Sequence, residues 1–166
     1  MSTIENLQEA FAGESQANRR YLAYAAQADA EGLPGVARLL RGVAAAETIH
    51  ALTHLKAMHG VKDTAANLAE ALSGEEHEFT EMYPPMVAEA EAEGEKRAAR
   101  SMDNAMQVEK IHFGLFGQAM EAVKAGHDLD APAVRICPVC GHTVIGDAPD
   151  ACPVCGCGGA RYELVA

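Results

Sequence analysis

A chain of 166 residues is long enough for one domain with a small appended one, and its formal net charge of −11 argues against nucleic acids and anionic membrane surfaces as partners. The first residues, MSTIENLQEA, contain neither a basic lead nor an apolar stretch, and no apolar run approaches the ~20 residues that span a bilayer. We therefore expect a cytoplasmic protein, in which paired cysteines bind metals more often than they form disulfides.

The composition changes towards the C-terminus. Residues 1–130 are rich in Ala, Glu, Leu and Met and contain no cysteine, whereas all five cysteines lie between residues 137 and 157 among Gly and Pro. This change predicts two domains, at residues 1–130 and 134–166, joined by a short linker.

In the first domain, apolar and small residues recur at helical spacing in four segments. The predicted helices run from about residue 3 to 31, after a capping box of Ser2 and Glu5; from Pro34 to Gly60; from Thr64 to Gly94, with a kink or reset at Pro84 and Pro85; and from there to Gly126. Four amphipathic helices of this length favour an all-α four-helix bundle.

Acidic and imidazole side chains interrupt the apolar face of every predicted helix. Residues three or four apart share one face, so these groups point with their apolar neighbours into the core. Each set lies about 16 to 21 Å from the start of its helix, so the four sets can meet at one level of a bundle. The residues are Glu14 on the first helix, Glu47 and His50 on the second, Glu75 and Glu78 on the third, and Glu109 and His112 on the fourth.

Five buried carboxylates repel one another unless cations share the site, and two divalent cations would nearly balance them. Carboxylate and imidazole ligands without sulfur favour iron or manganese over structural zinc. Ferritin-like di-iron proteins have a ligand pattern of one Glu from each of two helices and a Glu-x-x-His motif from each of the other two. In this sequence the third helix offers one carboxylate more than this pattern needs. Glu76 and His77 point away from that face, so we expect them to be solvated.

The cysteine-rich tail contains CPVC twice, at residues 137–140 and 152–155, each followed by Gly. Each motif places two thiolates on a tight turn, and two such turns complete a tetrahedral four-sulfur site. Spacing alone leaves iron and structural zinc open. Cys157 lies outside both motifs and has no assigned role.

These motifs resemble those of the rubrerythrin family over essentially the whole chain. The resemblance is carried by AFAGESQANRRY, AAETIH, GEEHEFTEMYP and EKIH in the helical part and by ICPVCG and CPVCG in the tail. It implies an all-α ferritin-like four-helix bundle with a di-iron centre. A small metal-bound rubredoxin-like domain of short β-strands and knuckle loops, with a mononuclear Fe(Cys)4 site, would follow it.

The resemblance also implies roles for single residues. Glu47 and Glu109 would bridge the irons, and one iron would exchange Glu78 for His50 on reduction. Tyr21 and Tyr83 match tyrosines near the site, although both could equally fill core. The implied ligands are Glu14, Glu47, His50, Glu75, Glu78, Glu109 and His112 for the di-iron centre, and Cys137, Cys140, Cys152 and Cys155 for the mononuclear iron.

The activity that the resemblance implies is the reduction of hydrogen peroxide to water in oxidative stress defence. Electrons would come from rubredoxin or an NAD(P)H-dependent reductase and pass through the Fe(Cys)4 centre. Three alternatives remain at this point: a ferritin-like protein that oxidises and stores iron, a binding module with structural zinc in the tail, and an oxygenase, for which the sequence reveals no substrate pocket.

The connection between the second and third helices predicts a homodimer. In ferritin-like topology these helices run parallel, so their connection must return the length of the bundle, about 30 Å. Residues 60–63 reach at most ~14 Å. We therefore expect the first two helices of one chain to pack with the last two of another. The resemblance further implies that each tail serves the di-iron site of its partner.

Overall fold

The structure, a computed structural model, describes residues 2–165, and its helices follow the predicted segments. They are α1 (Thr3–Ala30), α2 (Pro34–Ala57), α3 (Thr64–His77), α4 (Tyr83–Ala92) and α5 (Lys96–Lys124). The third predicted helix corresponds to α3 and α4, which are separated by a π-helical turn at Glu78–Met82. With the small sheet described below, this architecture confirms the predicted fold class.

The chain divides into two compact units, Met1–Lys62 and Asp63–Ala166. In the first unit, α1 packs on α2 through small side chains, which let the two backbones approach closely. The buried alanines that form this contact are Ala25, Ala28 and Ala37. Asn18 adds a polar contact between the helices, because its amide nitrogen donates a 2.7 Å hydrogen bond to the carbonyl of Ala44. The predicted domain limits at 130 and 134 differ from this division and stay a prediction.

The helix starts follow local chemistry. Ser2 and Glu5 form the predicted capping box at the start of α1. Pro34 occupies the first turn of α2, where the missing N–H costs no hydrogen bond. The Asp63 side chain accepts a hydrogen bond from the backbone N–H of Ala66 and caps α3. These features fix where α1, α2 and α3 begin and hence the height of the acidic residues along these helices.

The sequence predicted an interruption of the third helix at Pro84 and Pro85. In the structure, the interruption occurs one turn before these prolines. A proline ring clashes with the carbonyl four residues before it, and here those carbonyls belong to Thr80 and Glu81. Both residues lie inside the π turn, while the prolines occupy the first turn of α4. The prolines therefore explain a wide turn whose first residue is Glu78.

The second unit also contains the cysteine-rich tail. Its strands are β1 (Val134–Ile136), β2 (Thr143–Ile145) and β3 (Glu163–Leu164), which form an antiparallel sheet in the order β2-β1-β3. The tail contacts α5 of the same unit, where Val108 is only 2% exposed and its side chain faces Gly141. In the described part of the chain, no helix is both long and apolar enough to cross a bilayer.

Candidate metal centres

The four cysteines of the two CPVC motifs converge in the tail. Their sulfur atoms all lie within 4.8 Å of one another, and the Sγ atoms of Cys137 and Cys155, like those of Cys140 and Cys152, are 3.6 Å apart. A disulfide requires about 2.0 Å. Four sulfurs about 2.3 Å from a central metal lie about 3.8 Å apart along each tetrahedral edge. The cluster therefore has the dimensions of a tetrahedral metal site.

The two motifs fold into equivalent knuckles. In the first, the Cys137 N–H donates to the carbonyl of His142, and in the second the Cys152 N–H donates to that of Cys157. The backbone amide of His142 also donates to the sulfur of Cys140, and that of Cys157 to the sulfur of Cys155. Cys157 thus occupies in the second knuckle the place of His142 in the first, which gives it a backbone role.

Hydrogen bonds to sulfur favour the thiolate form that binds metals. Burial raises the pKa of the Cys152 thiol, but the amide of Cys155, the hydroxyl of Tyr162 and the amide of Val154 together lower it to about 6. The amides of Val139 and Cys140 likewise hold the pKa of Cys137 below its ordinary value against the opposing effect of burial. Burial raises the pKa of the other two thiols, Cys140 and Cys155, in the metal-free cluster. Four sulfurs with amide donors fit an Fe(Cys)4 site.

In the first unit, Glu14, Glu47 and His50 form an acidic half-site. Its ligand atoms lie within 4.8 Å of one another. The His50 Nδ1 atom is 2.8 Å from a carboxylate oxygen of Glu47 and 3.7 Å from one of Glu14. One predicted Glu-x-x-His pair therefore meets the carboxylate of the neighbouring helix, as the shared helix faces required.

A second half-site in the other unit has the same composition and nearly the same distances. The His112 Nδ1 atom is 2.7 Å from a carboxylate oxygen of Glu109 and 3.8 Å from one of Glu75. Two sets of two carboxylates and one imidazole, with matching geometry, are the donor set expected for two equivalent hard metal ions. They fit the two halves of a di-iron centre.

The second half-site contains an unsatisfied buried atom. The Oε2 atom of Glu75 is buried without a hydrogen-bond partner. Burial, followed by the hydrogen bond and the charge of Glu109 and the charge of Glu78, raises the pKa of Glu75 to about 7. A buried carboxylate crowded by other carboxylates is costly unless a cation neutralises it. A role for Glu75 as a metal ligand would explain why this unfavourable arrangement is present.

Glu78 and Tyr83 flank this second half-site. Burial and then the charge of Glu109 raise the pKa of Glu78, although Glu78 is not in the group of ligand atoms within 4.8 Å. Burial and then the charges of Glu78, Glu109 and Glu75 raise the pKa of the Tyr83 phenol. Both residues are therefore near the acidic groups, at the π turn and immediately after it.

The remaining predicted residues have other neighbours. The ring of Tyr21 lies 6.3 Å from that of Tyr24 on the same helix. Glu76 and His77 are exposed, as expected, and His77 pairs with Glu81 at 3.4 Å. The structure gives Tyr21 an aromatic contact and leaves its role at a metal site a prediction.

A contact that the sequence did not predict joins the tail to the second half-site. The Nε2 atom of His112 is 3.0 Å from the Thr143 hydroxyl, which in turn donates a 3.0 Å hydrogen bond to the carbonyl of Gly141. Gly141 directly follows Cys140. The tail therefore lies against a half-site of its own chain, and the expectation that each tail serves the di-iron site of its partner stays a prediction. The sequence analysis did not select Thr143, because no local pattern predicts a contact with a residue 31 positions away.

The helices carry two half-sites of carboxylates and imidazole, and the tail carries a four-thiolate cluster. Together these features define a non-haem iron protein of the ferritin-like di-iron class with a rubredoxin-like segment. Comparison with known proteins agrees with this class. The family model described as Rubrerythrin matches residues 5–120. The chain therefore belongs to the rubrerythrin family, an oxidoreductase family.

Similar proteins support this membership over nearly the whole chain. Rubrerythrin-2 from Clostridium acetobutylicum is 35% identical over 157 residues, covering 86% of this chain and 85% of that protein. Nigerythrin from Nitratidesulfovibrio vulgaris is 34% identical over 158 residues, covering 85% and 75%. The structure of fully reduced, all-ferrous nigerythrin superposes with a TM-score of 0.59 at 28% identity, covering 99% of this chain and 87% of that one.

The cysteine assignment predicts different effects for two neighbouring cysteines. In iron-reconstituted protein, Cys140→Ser should shift and weaken the visible thiolate-to-iron absorption, because it removes one of four sulfur ligands. Cys157→Ser should retain the absorption, because Cys157 contributes its backbone to the knuckle. Visible spectra and bound iron per chain measure both effects. An unchanged spectrum in Cys140→Ser, or loss of the absorption in a folded Cys157→Ser, would contradict the assignment.

The raised pKa of Glu75 predicts a pH dependence in the metal-free protein. The pKa of this carboxyl is 4.5 in the unfolded chain and about 7 in the folded one, so the folded state binds the extra proton. Its contribution to stability is complete below about pH 4.5 and is lost as the pH rises through about 7. The melting temperature of chelator-treated protein should therefore fall over this range.

Glu75→Gln should reduce this fall, because an amide neither titrates nor repels Glu109. Glu76→Gln, a substitution of the exposed neighbouring residue, is the matched control and should leave the fall unchanged. Thermal unfolding of the three proteins across the pH range is the measurement. An equal fall in Glu75→Gln and the wild type would show that Glu75 is not the responsible group.

Proposed function

We propose that this chain is a peroxidase that reduces hydrogen peroxide to water. Its electrons would come from a redox donor, either rubredoxin or an NAD(P)H-dependent reductase, and pass through an Fe(Cys)4 centre to a di-iron centre. The observation that carries this proposal is the 3.0 Å contact between His112 Nε2 and the Thr143 hydroxyl. It joins the two kinds of site within a single unit.

This contact would serve electron transfer between the two kinds of site. Cys140 is covalently followed by Gly141, and the carbonyl of Gly141 accepts a hydrogen bond from the Thr143 hydroxyl. The oxygen of this hydroxyl lies 3.0 Å from Nε2 of His112. A structural zinc tail or an iron-storage protein has no need of a short bonded path between a thiolate cluster and an acidic site. The path therefore favours a redox function over both alternatives.

The proposed ligands follow from the half-sites. Glu14, Glu47 and His50 would hold metal in one half and Glu75, Glu109 and His112 in the other, with Glu78 as an additional carboxylate that exchanges with His50. When bound, iron at these positions supplies two electrons and polarises the oxygen atoms of the peroxide. These ligands would hold the cations, and Tyr83 lies near the carboxylates of the second half-site.

Reduction of hydrogen peroxide consumes two electrons and two protons and gives two water molecules. Residues beside the second half-site are suited to supply the protons. The pKa of Tyr83 is raised by burial and by three carboxylates, so its Oη atom keeps its proton and can donate a hydrogen bond. Glu78, whose pKa is also raised by burial, can hold a second proton on a carboxylate oxygen.

The peroxidase proposal is tested by anaerobic reaction of the iron-loaded, reduced protein with hydrogen peroxide. His112→Gln should slow peroxide consumption by at least about 10-fold, because it removes a ligand and the contact with Thr143. His77→Gln, at an exposed histidine of the neighbouring helix, is the control and should react like the wild type. Wild-type protein that consumes no peroxide, or that instead accumulates many irons per chain, would refute the proposal.

We also propose that the di-iron site is assembled from two chains by exchange of helices. On α2, the face that bears Glu47 and His50 also bears Val36, Leu39 and Val43, which are 48%, 67% and 37% exposed. An apolar face of this kind requires a cover, and it lies directly beside half of a metal site. The α3–α5 unit of a second copy would supply both the cover and the other three ligands.

Complementation between inactive variants tests this arrangement. Glu47→Ala and Glu109→Ala each remove one ligand and should each be inactive as homodimers. In an exchanged heterodimer, one bundle combines both defects and the other contains neither, so mixing the unfolded variants and refolding them together should restore about a quarter of wild-type peroxidase activity. Bundles built from single chains would regain none. Size-exclusion chromatography should confirm that each sample is dimeric.

A further inference from the structure

A cavity of about 310 Å³ lies in the second unit, between α3, α5 and the small sheet. Its apolar walls include Leu68 on α3, Phe116 on α5, and Val134 and Ile145 on the sheet. Each of these residues is half-buried, so a ligand can enter from solvent without unfolding the chain. An engineered apolar cavity of about 150 Å³ binds benzene, and binding pockets for small molecules begin at about 300 Å³. The cavity therefore has room for a compact ligand of one or two rings.

The cavity has one polar end, where His112 and Thr143 are the only polar residues among the described residues that line it. The Thr143 hydroxyl donates its proton to the carbonyl of Gly141, so it has no proton to offer a ligand. Its oxygen can accept two hydrogen bonds, and the Nε2 atom of His112, 3.0 Å away, occupies at most one of these positions. One acceptor position is therefore left for a ligand that carries an O–H or N–H group. A net charge of −11 disfavours anionic ligands, which leaves a neutral apolar molecule with a donor group.

The polar end of the cavity lies on the bonded path between the cysteine cluster and the second half-site. Thr143 faces His112, and the other ring nitrogen of His112 is 2.7 Å from a carboxylate oxygen of Glu109. A ligand at this end would therefore contact a candidate metal ligand directly. Electron transfer between groups in contact requires no bond between them, so a redox-active ligand at this position could deliver electrons to the half-site.

We propose that this cavity binds a small aromatic hydroquinone, which serves as a reducing co-substrate of the peroxidase. One hydroxyl of the hydroquinone donates to the Thr143 oxygen, and its aromatic body lies between the apolar walls, against Phe116. The hydroquinone loses two electrons and its two hydroxyl protons and becomes a quinone. Hydrogen peroxide takes up both electrons and both protons, its O–O bond breaks, and two water molecules form. The reaction needs no further oxidant or reductant.

The reaction rests on the proposed peroxidase function, whereas binding to the cavity is independent of iron. The hydroquinone is a small-molecule donor, in addition to the redox donor proposed for the Fe(Cys)4 centre. Electrons from the Fe(Cys)4 centre would pass Thr143 before they reach His112. Electrons from the hydroquinone would enter at His112 itself, so the two donors differ in where their electrons enter the path.

Binding is tested by calorimetric titration of the zinc-loaded, full-length protein with naphthohydroquinone under anaerobic conditions. We expect saturable binding of one molecule per chain. The dimethyl ether of naphthohydroquinone has no O–H group and should bind about 5-fold more weakly, because it cannot donate to Thr143. Thr143→Val should weaken the binding of naphthohydroquinone by about the same factor and leave the binding of the ether unchanged.

A variant that fills the cavity provides a second binding test. Ala119 lines the cavity, so Ala119→Leu should weaken the binding of naphthohydroquinone at least about 10-fold. Ala98→Leu, at an exposed position of the same helix, is the matched control and should bind like the wild type. Absence of saturable binding by the wild type, which would result if a second copy of the chain fills the cavity, would overturn the proposal. Equal affinities of the wild type for naphthohydroquinone and its ether would also overturn it, and this comparison needs no variant protein.

The reaction is tested by mixing the iron-loaded protein with naphthohydroquinone and hydrogen peroxide anaerobically and following the absorbance of the quinone. The wild type should form one quinone for each peroxide consumed, and Ala119→Leu should form it at least about 10-fold more slowly. When both proteins are reduced beforehand, they should consume peroxide at the same rate, because Ala119 belongs to neither half-site. Binding without quinone formation would overturn the co-substrate role. Failure of the pre-reduced wild type to consume peroxide would refute the peroxidase and with it this role, while the zinc-loaded protein would still decide whether the cavity binds the hydroquinone.

Discussion

Mutual repulsion between partly buried carboxylates is the constraint on which this structure depends. Glu75 has an oxygen without a partner, and its pKa of about 7 reflects burial next to Glu109 and Glu78. An apolar replacement at any of these positions would be cheaper for folding alone. The capped helix starts, the shared helix faces and the π turn all act to hold these unfavourable groups together, which is what a site for cations requires.

The helical face pattern was sufficient to predict most of the candidate site, because spacing of three or four residues determines which side chains share a direction. Each half-site and the four-sulfur cluster brings together residues that the pattern had selected, and their role as metal ligands stays a prediction. The position of the π turn was not predictable to the residue, since the clash of a proline ring appears four residues upstream of the proline itself. Glu78 consequently lies beside the cluster and outside its closest group of atoms.

The sequence pattern could not predict contacts between residues that are far apart along the chain. Thr143 and His112 are 31 positions apart, and Tyr162 and His142 are 20 apart. Neither pair belongs to a periodic pattern, since each depends on how the small sheet packs on α5 and folds back on itself. Cys157 shows the same limit: the sequence assigned it no role, whereas its backbone carbonyl and amide form hydrogen bonds within the second knuckle.

The division of the donor atoms between the two units has a consequence for assembly. Each half-site presents two carboxylates and one imidazole, which is too few ligands to enclose an iron ion and leaves like charges close together. If the halves of one centre come from different chains, metal binding and dimer formation stabilise each other, since each supplies what the other lacks. Metal removal would then weaken the dimer as well as the helices. The tail, in contact with α5 of its own chain through Thr143, would remain beside His112 throughout.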